Sequence, residues 1–390
     1  MRMRNTALLT GPYDWDPALL PLSEFEERLA AVRRVLAMQG ATALLVHGNS
    51  IEHGALAYLT GFTPKLGPAF ALVPRDGPIR ILASGGSGMI GSAKLLTWVE
   101  DIQPLGNLRN PLSEWLGNIA RDGRAVIGLW GGIKLAQRPY IATAVAIQPI
   151  GTMIDLDEPL DALRRRKSLL ELKLLRESCR SLTIAGDVFE RIASDGSGPR
   201  AAALAAERAA YAHGAQDFRI LASARSGGPP LALDGPADLH IAPLLACLAV
   251  RFAGYWSEGF VTVAAPPDRA LVRAEAALKA MLREAGPGAT AGDLRRAAAP
   301  HLPPYKFHPM VDSTIGNGIG LSLEESPIPS RNENFQLEAD CVYTLRCGAM
   351  GEGSDNAIVS AMVAVSEAGT NIIWPSKNYP ADPEILRGSR

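Results

Sequence analysis

The segment Gly316-Asn317-Gly318-Ile319-Gly320-Leu321-Ser322-Leu323-Glu324-Glu325-Ser326-Pro327 gathers residue types suited to a binding turn. Alternating glycines let the backbone pass close to a neighbour, and Asn317 between two of them presents an amide. Two adjacent carboxylates follow. On a strand Glu324 and Glu325 point to opposite faces, so one of them lines a pocket. Such carboxylates can hold a polar ligand or move a proton. His308, just upstream in YKFHPMV, is a candidate general base or else a hydrogen-bonded structural imidazole. Cys247 sits in the apolar run LLACLAV with no histidine close in sequence to lower its pKa, which favours a core thiol over a nucleophile.

Elements must hold these groups in place. Ser23 to Gly40 carries Phe25, Leu29, Val32, Val35 and Leu36 at helical spacing, with Ser23 as N-cap and Gly40 as the stop. Short β-rich runs then alternate with helical stretches, as in an α/β domain. Near residue 155 the composition turns basic, and KSLLELKLLRESCRSLTIAGDVFERIAS reads as one long amphipathic helix. Further helices are predicted at 199–213, 268–285 and 290–298, and strands at 218–223, across 244–264, at 342–348 and at 357–365. The second half is therefore α+β.

Composition narrows the function classes. The 390 residues carry 39 basic and 40 acidic side chains, so no field for a polyanion exists and nucleic acid is excluded as a partner. No apolar run approaches the roughly 20 residues of a membrane span, and the N-terminal apolar run is far short of a signal-peptide core. A cytoplasmic protein is expected. The four cysteines form no CxxC pair, which argues against disulfides or a zinc knuckle. The terminal Gly388-Ser389-Arg390 has the look of a vector scar.

In chain order, Gly254-Tyr255-Trp256-Ser257-Glu258, then GNGIGLSLEES, then Val342-Tyr343-Thr344-Leu345-Arg346, then Val363-Ala364-Val365-Ser366-Glu367-Ala368-Gly369 resemble the strand motifs of the creatinase, prolidase and methionine aminopeptidase superfamily. Tyr58-Leu59-Thr60-Gly61-Phe62 resembles part of the creatinase-type N-terminal domain, so the likeness spans nearly the whole chain. It implies an α/β creatinase-like domain over 1–155, an α+β pita-bread domain over 156–390, and a homodimer. In such dimers the loop holding Phe62 and Lys65 reaches over the partner's pocket. Metallopeptidases of the superfamily hold two divalent ions with two aspartates, a histidine and two glutamates. Those positions fall here on Cys247, Glu258, Asn317, Arg346 and Ser360. Two further family histidines fall near Leu231 and on Glu324. One carboxylate remains of four. A guanidinium, charged at any relevant pH and without a lone pair, replaces another. No metal and no other cofactor is expected.

Creatinase supplies the superfamily's precedent for metal-free chemistry, but its imidazole and its glutamate at the Arg346 position are missing here, so creatine is not the expected substrate. The expected reaction is metal-independent hydrolysis or elimination at a C–N or related bond of a small carboxylate-bearing metabolite. Arg346 and Asn317, with Cys247 and Ser360 beside them, would hold it, and Glu258, Glu325 and His308 would transfer protons. In a rival reading Arg346 and Glu258 pair with each other and fill the space the metals left, giving an inactive pita-bread protein that binds a ligand. A third reading is an Xaa-Pro-type metallopeptidase with Glu258, Glu325 and Asn317 around one ion.

Overall fold

The computed structural model describes residues 14–119, 124–233, 241–264, 268–312, 314–327 and 336–375, and these form two compact units, one ending at Arg164 and one starting at Arg165. The division follows the last helix of the first unit, whereas the composition change had placed it near 155. In chain order the first unit carries α1 (Leu22–Met38), β1 (Ala43–Gly48), α2 (Gly54–Thr60), β2 (Ala69–Pro74), β3 (Arg80–Ala83), α3 (Ser87–Ala93), β4 (Asp101–Pro104), α4 (Arg109–Ile119), β5 (Ala125–Trp130), α5 (Gln137–Ile147), β6 (Gly151–Asp155) and α6 (Asp157–Arg165). Its sheet runs β4-β3-β2-β1-β5-β6, with antiparallel β1–β2 and β2–β3 pairs and parallel pairs elsewhere. Strands β1 and β2 are buried at every position, the pattern of strands covered on both faces. Pro21 is the N-cap of α1, so Ser23, the expected cap, lies inside the first turn.

The second unit carries α7 (Leu169–Ser194), α8 (Pro199–Ala212), β7 (Asp217–Ser223), β8 (Pro230–Leu231), β9 (Leu244–Phe252), β10 (Tyr255–Val263), α9 (Arg269–Glu284), α10 (Ala291–Ala298), β11 (Lys306–Phe307), α11 (Pro309–Asp312), β12 (Gly316–Gly318), β13 (Val342–Met350), β14 (Asn356–Ser366) and β15 (Gly369–Pro375). Local chemistry starts the helices where the sequence predicts them. Ser168 and Glu171 form a capping box on α7, Thr290 and Asp293 one on α10, and the Asp268 carboxylate accepts the Leu271 N–H at the head of α9.

Two antiparallel sheets result, β10-β9-β7-β8 and β11-β13-β14-β15, with β12 added along β13. Helices cover one face of each. The Ser178 hydroxyl of α7 donates to the Val250 carbonyl and bonds the Ser257 hydroxyl, while Ala274, Leu278 and Met281 of α9 share a core with Tyr343, Leu345, Val359 and Ala361. Strand alternation therefore turns Glu258, Phe260 and Thr262 of β10, Thr344, Arg346 and Gly348 of β13, and Ile358, Ser360 and Met362 of β14 toward the opposite face. There the sheets meet along β10 and β14 without a backbone ladder. The Phe260 N–H donates to Ser360 Oγ at 2.7 Å, the Thr262 hydroxyl donates to the Ile358 carbonyl and accepts the Ile358 N–H, and the Glu258 N–H points at Met362 Sδ at 3.3 Å.

Packing beside this seam leaves no room at Gly259, where a Cβ would stand 2.1 Å from the Trp374 ring. Gly259→Ala is expected to lower the unfolding free energy by about 1–3 kcal/mol, as overpacking does, measured by denaturant melts of purified protein.

Candidate functional site

Register sets the helix-free face in rows. One row runs Thr344, Met362, Glu258, Ala249, Arg219, and the next Arg346, Ser360, Phe260, Cys247, Leu221, each crossing the seam through the bonds just described. Glycines bring the turn of β12 onto this face. A Cβ at Gly320 would stand 2.7 Å from Lys167 Nζ and 2.9 Å from Glu325 Oε1, so only a bare backbone fits between that pair.

Four residues that the resemblance assigned to ligand positions come together at the centre. Arg346 Nη2 donates to Glu258 Oε2 at 2.7 Å and to Asn317 Oδ1 at 2.5 Å. Asn317 is held in that orientation because its own Nδ2 donates to the Gly318 and Leu323 carbonyls. The Cys247 thiol donates to Glu258 Oε1 at 3.4 Å, and the Phe260 ring underlies the guanidinium at 5.5 Å. Burial, then the neighbouring Glu258 charge, pushes the Cys247 thiol well up from its ordinary range, so it is a protonated donor. A thiol in that state is not a nucleophile. Ser360, the fifth position, stands opposite Arg346 in the β13–β14 ladder, with its hydroxyl oxygen accepting in the seam.

Glu325 and His308, also expected at the site, have other hydrogen-bond partners. Glu325 is not on a strand: the chain bends back so that Glu325 bridges Gly318, and its carboxylate bonds Lys167 Nζ at 2.6 Å and the Ser322 N–H at 3.2 Å. This corrects the expectation that Glu324 and Glu325 lie on a strand. Both ends of the Lys167–Glu325 pair are buried, so it clamps the turn, while Glu324 is exposed. His308 lies over Gly348, one row beyond Arg346, and its Nδ1 accepts the Met310 N–H at 3.3 Å. Burial lowers its pKa, so the imidazole is neutral with its proton on Nε2. It thus offers a donor where a general base needs a lone pair. In the first unit Phe62 is buried, with its N–H bonded to the Thr60 hydroxyl, and Lys65 is half-buried.

Three contributors escaped the sequence reading. Lys167 lies 158 residues from its partner and reads only as part of a basic run. The Arg219 guanidinium stacks 4.5 Å over Trp256 at the rim, beside Arg251, and no motif flags it. Thr344 shares the face of Arg346, which the Thr-Leu-Arg alternation could have revealed.

This geometry defines a pita-bread scaffold with its cleft on the helix-free face. The sequence profile of metallopeptidase family M24 matches residues 173–367, half of the chain and all within the second unit, and the chain belongs to that family. Solved structures share the fold over almost the full length. The prolidase from Pyrococcus horikoshii OT3 is 18% identical with a TM-score of 0.71, covering 90% of this chain and 99% of that one. The X-Pro aminopeptidase from Thermotoga maritima MSB8 is 18% identical with a TM-score of 0.71, covering 91% and 98%. The Xaa-Pro dipeptidase from Bacillus anthracis is 19% identical with a TM-score of 0.70, covering 92% and 99%. Among curated proteins none matches. Among the described residues no helix is long and apolar enough to cross a membrane.

A metallopeptidase family implies divalent ions, and the residues present do not fit them. One carboxylate, one protonated thiol and one amide oxygen surround a buried guanidinium that bonds two of the three. Divalent ions need several anionic oxygens or neutral imidazoles, and a fixed cation among the donors opposes them. Among the described residues no group of three or more His, Cys, Asp or Glu is placed to hold an ion.

Glu258→Gln leaves Arg346 buried without its counter-charge and is expected to cost about 3–5 kcal/mol of unfolding free energy in denaturant melts, most of it recovered by adding Arg346→Met. His308 has a folded pKa below its unfolded value, so the unfolded chain takes up a proton first as pH falls below about 6.5. Its stabilising contribution is present above that pH and is lost as pH falls toward the folded pKa. The imidazole signals in a pH-titrated NMR spectrum are expected to include one that protonates below that value, and His308→Gln removes it.

Proposed function

We propose that the pocket of this M24-family chain works without a two-metal centre and binds a small polar molecule, with no cleavage of Xaa-Pro peptides. The observation that carries this reading is the guanidinium of Arg346, buried among the positions that the resemblance assigns to metal ligands and bonded to both Glu258 and Asn317. Ligand binding is better supported than turnover. A proton-transferring carboxylate needs a free oxygen directed at the substrate, and here one Glu258 oxygen accepts from a thiol and the other from a guanidinium. Hydrolysis or elimination at a C–N bond, the reaction expected from the sequence, requires the ligand to displace one of these partners.

A second reading is favoured by the fold shared with a prolidase and an Xaa-Pro dipeptidase. In it Arg346 swings out and one ion sits among Cys247, Glu258 and Asn317. Elemental analysis of protein purified without chelator, paired with an Xaa-Pro dipeptide assay in added manganese or cobalt, separates the two. The expected outcome is far less than one ion per chain and no hydrolysis above background. Stoichiometric metal with chelator-sensitive hydrolysis would establish the second reading instead.

A further inference from the structure

Helix α1 carries a second pattern on the side turned away from the core of its unit. Phe25, Val32, Val35 and Leu36 are buried, whereas Leu22, Glu26, Ala30, Arg34 and Met38 are all exposed. The exposed five recur at every fourth residue, so they form one continuous ridge along the helix. Leu22, Glu26, Ala30 and Arg34 also wall a groove of about 980 Å³, closed on its other side by the turn at 75–79 and the segment 98–101. Ile79 and Val99 give that groove a buried apolar lining.

The order along the ridge is apolar, acidic, small, basic, apolar, and it reverses about Ala30. Glu26 and Arg34 have no hydrogen bond or ion pair among the described residues, while the neighbouring Arg33 is held by the Gly77 carbonyl. Eight residues of helix put the two charges about 12 Å apart along the axis, too far to meet each other. A second copy of α1 laid antiparallel, with a two-fold axis at Ala30, sets Glu26 of each copy opposite Arg34 of the other and Leu22 opposite Met38. Ridges of this spacing pack side by side in the commonest class of helix contact, and Ala30 at the axis lets the helices come close. Such a contact matches charge with charge twice and covers two exposed apolar side chains per copy, as an isologous interface requires. We propose that this ridge is a self-association surface, joining two copies of the chain through α1. It is separate from the pocket reading above and uses no residue of the loop holding Phe62 and Lys65.

Sedimentation velocity and light scattering of the full chain test this. The unsubstituted chain is expected to form an assembly whose mass Glu26→Arg or Arg34→Glu halves, each substitution creating two like-charge contacts and raising the dissociation constant at least about a hundredfold. All these positions are exposed, so the variants are expected to keep the far-ultraviolet circular dichroism of the unsubstituted chain. An equal mixture of the two single variants restores both opposite-charge contacts and is expected to recover the full mass, as is the chain carrying both substitutions. Ala30→Trp, which wedges the axis apart, is expected to halve the mass as well. A chain that is monomeric at its highest soluble concentration, single variants that leave the mass unchanged, or a mixture that fails to recover it would each overturn the proposal.

Discussion

A single buried ion pair, Arg346 with Glu258, fixes what the cleft of this protein can hold. Each partner makes the other tolerable: alone, either charge would face a desolvation penalty of several kcal/mol. The pair is completed on both sides, by the Asn317 oxygen on the guanidinium and by the Cys247 thiol on the carboxylate. With these bonds made, the centre of the cleft is close to neutral and carries more donors than acceptors. That balance sets it apart from a metal cradle, in which negative oxygens accumulate and the ion supplies the positive charge.

The scaffold spends much of its local chemistry on keeping this centre aligned. Capping residues set where α7, α9 and α10 begin, and those helices cover the outer faces of both sheets, so strand alternation alone decides which side chains turn inward. The Lys167–Glu325 clamp holds the turn after β12, and that turn in turn orients the Asn317 amide. Residues far apart in the chain thus act on one hydrogen bond to Arg346.

Much of the architecture was legible before any coordinates. Helical periodicity located α7, α8, α9 and α10 to within a few residues, and the order of strand motifs carried the pita-bread fold. Cys247, Glu258, Asn317 and Arg346, assigned by that order alone, lie in one hydrogen-bonded cluster. Illegible parts depend on pairings between distant segments. Glu324 and Glu325 were expected on a strand with opposite facings, but the bend that returns Glu325 to Gly318 cancels that rule. Ser360 was assigned by correspondence with a family glutamate, and nothing in the sequence discloses that its hydroxyl oxygen accepts the Phe260 N–H where β10 meets β14. His308 was weighed as a base because its type allows it, while its tautomer is set by the Met310 N–H that follows it.

The junction of the two sheets has a last implication. A backbone ladder has one geometry, but Ser360, Thr262 and Met362 join β10 to β14 through side chains that occupy discrete rotamers. The opening angle between the half-sheets is therefore written in three replaceable residues. Drift at those positions can shift one half-sheet against the other while every interstrand ladder on either side stays intact.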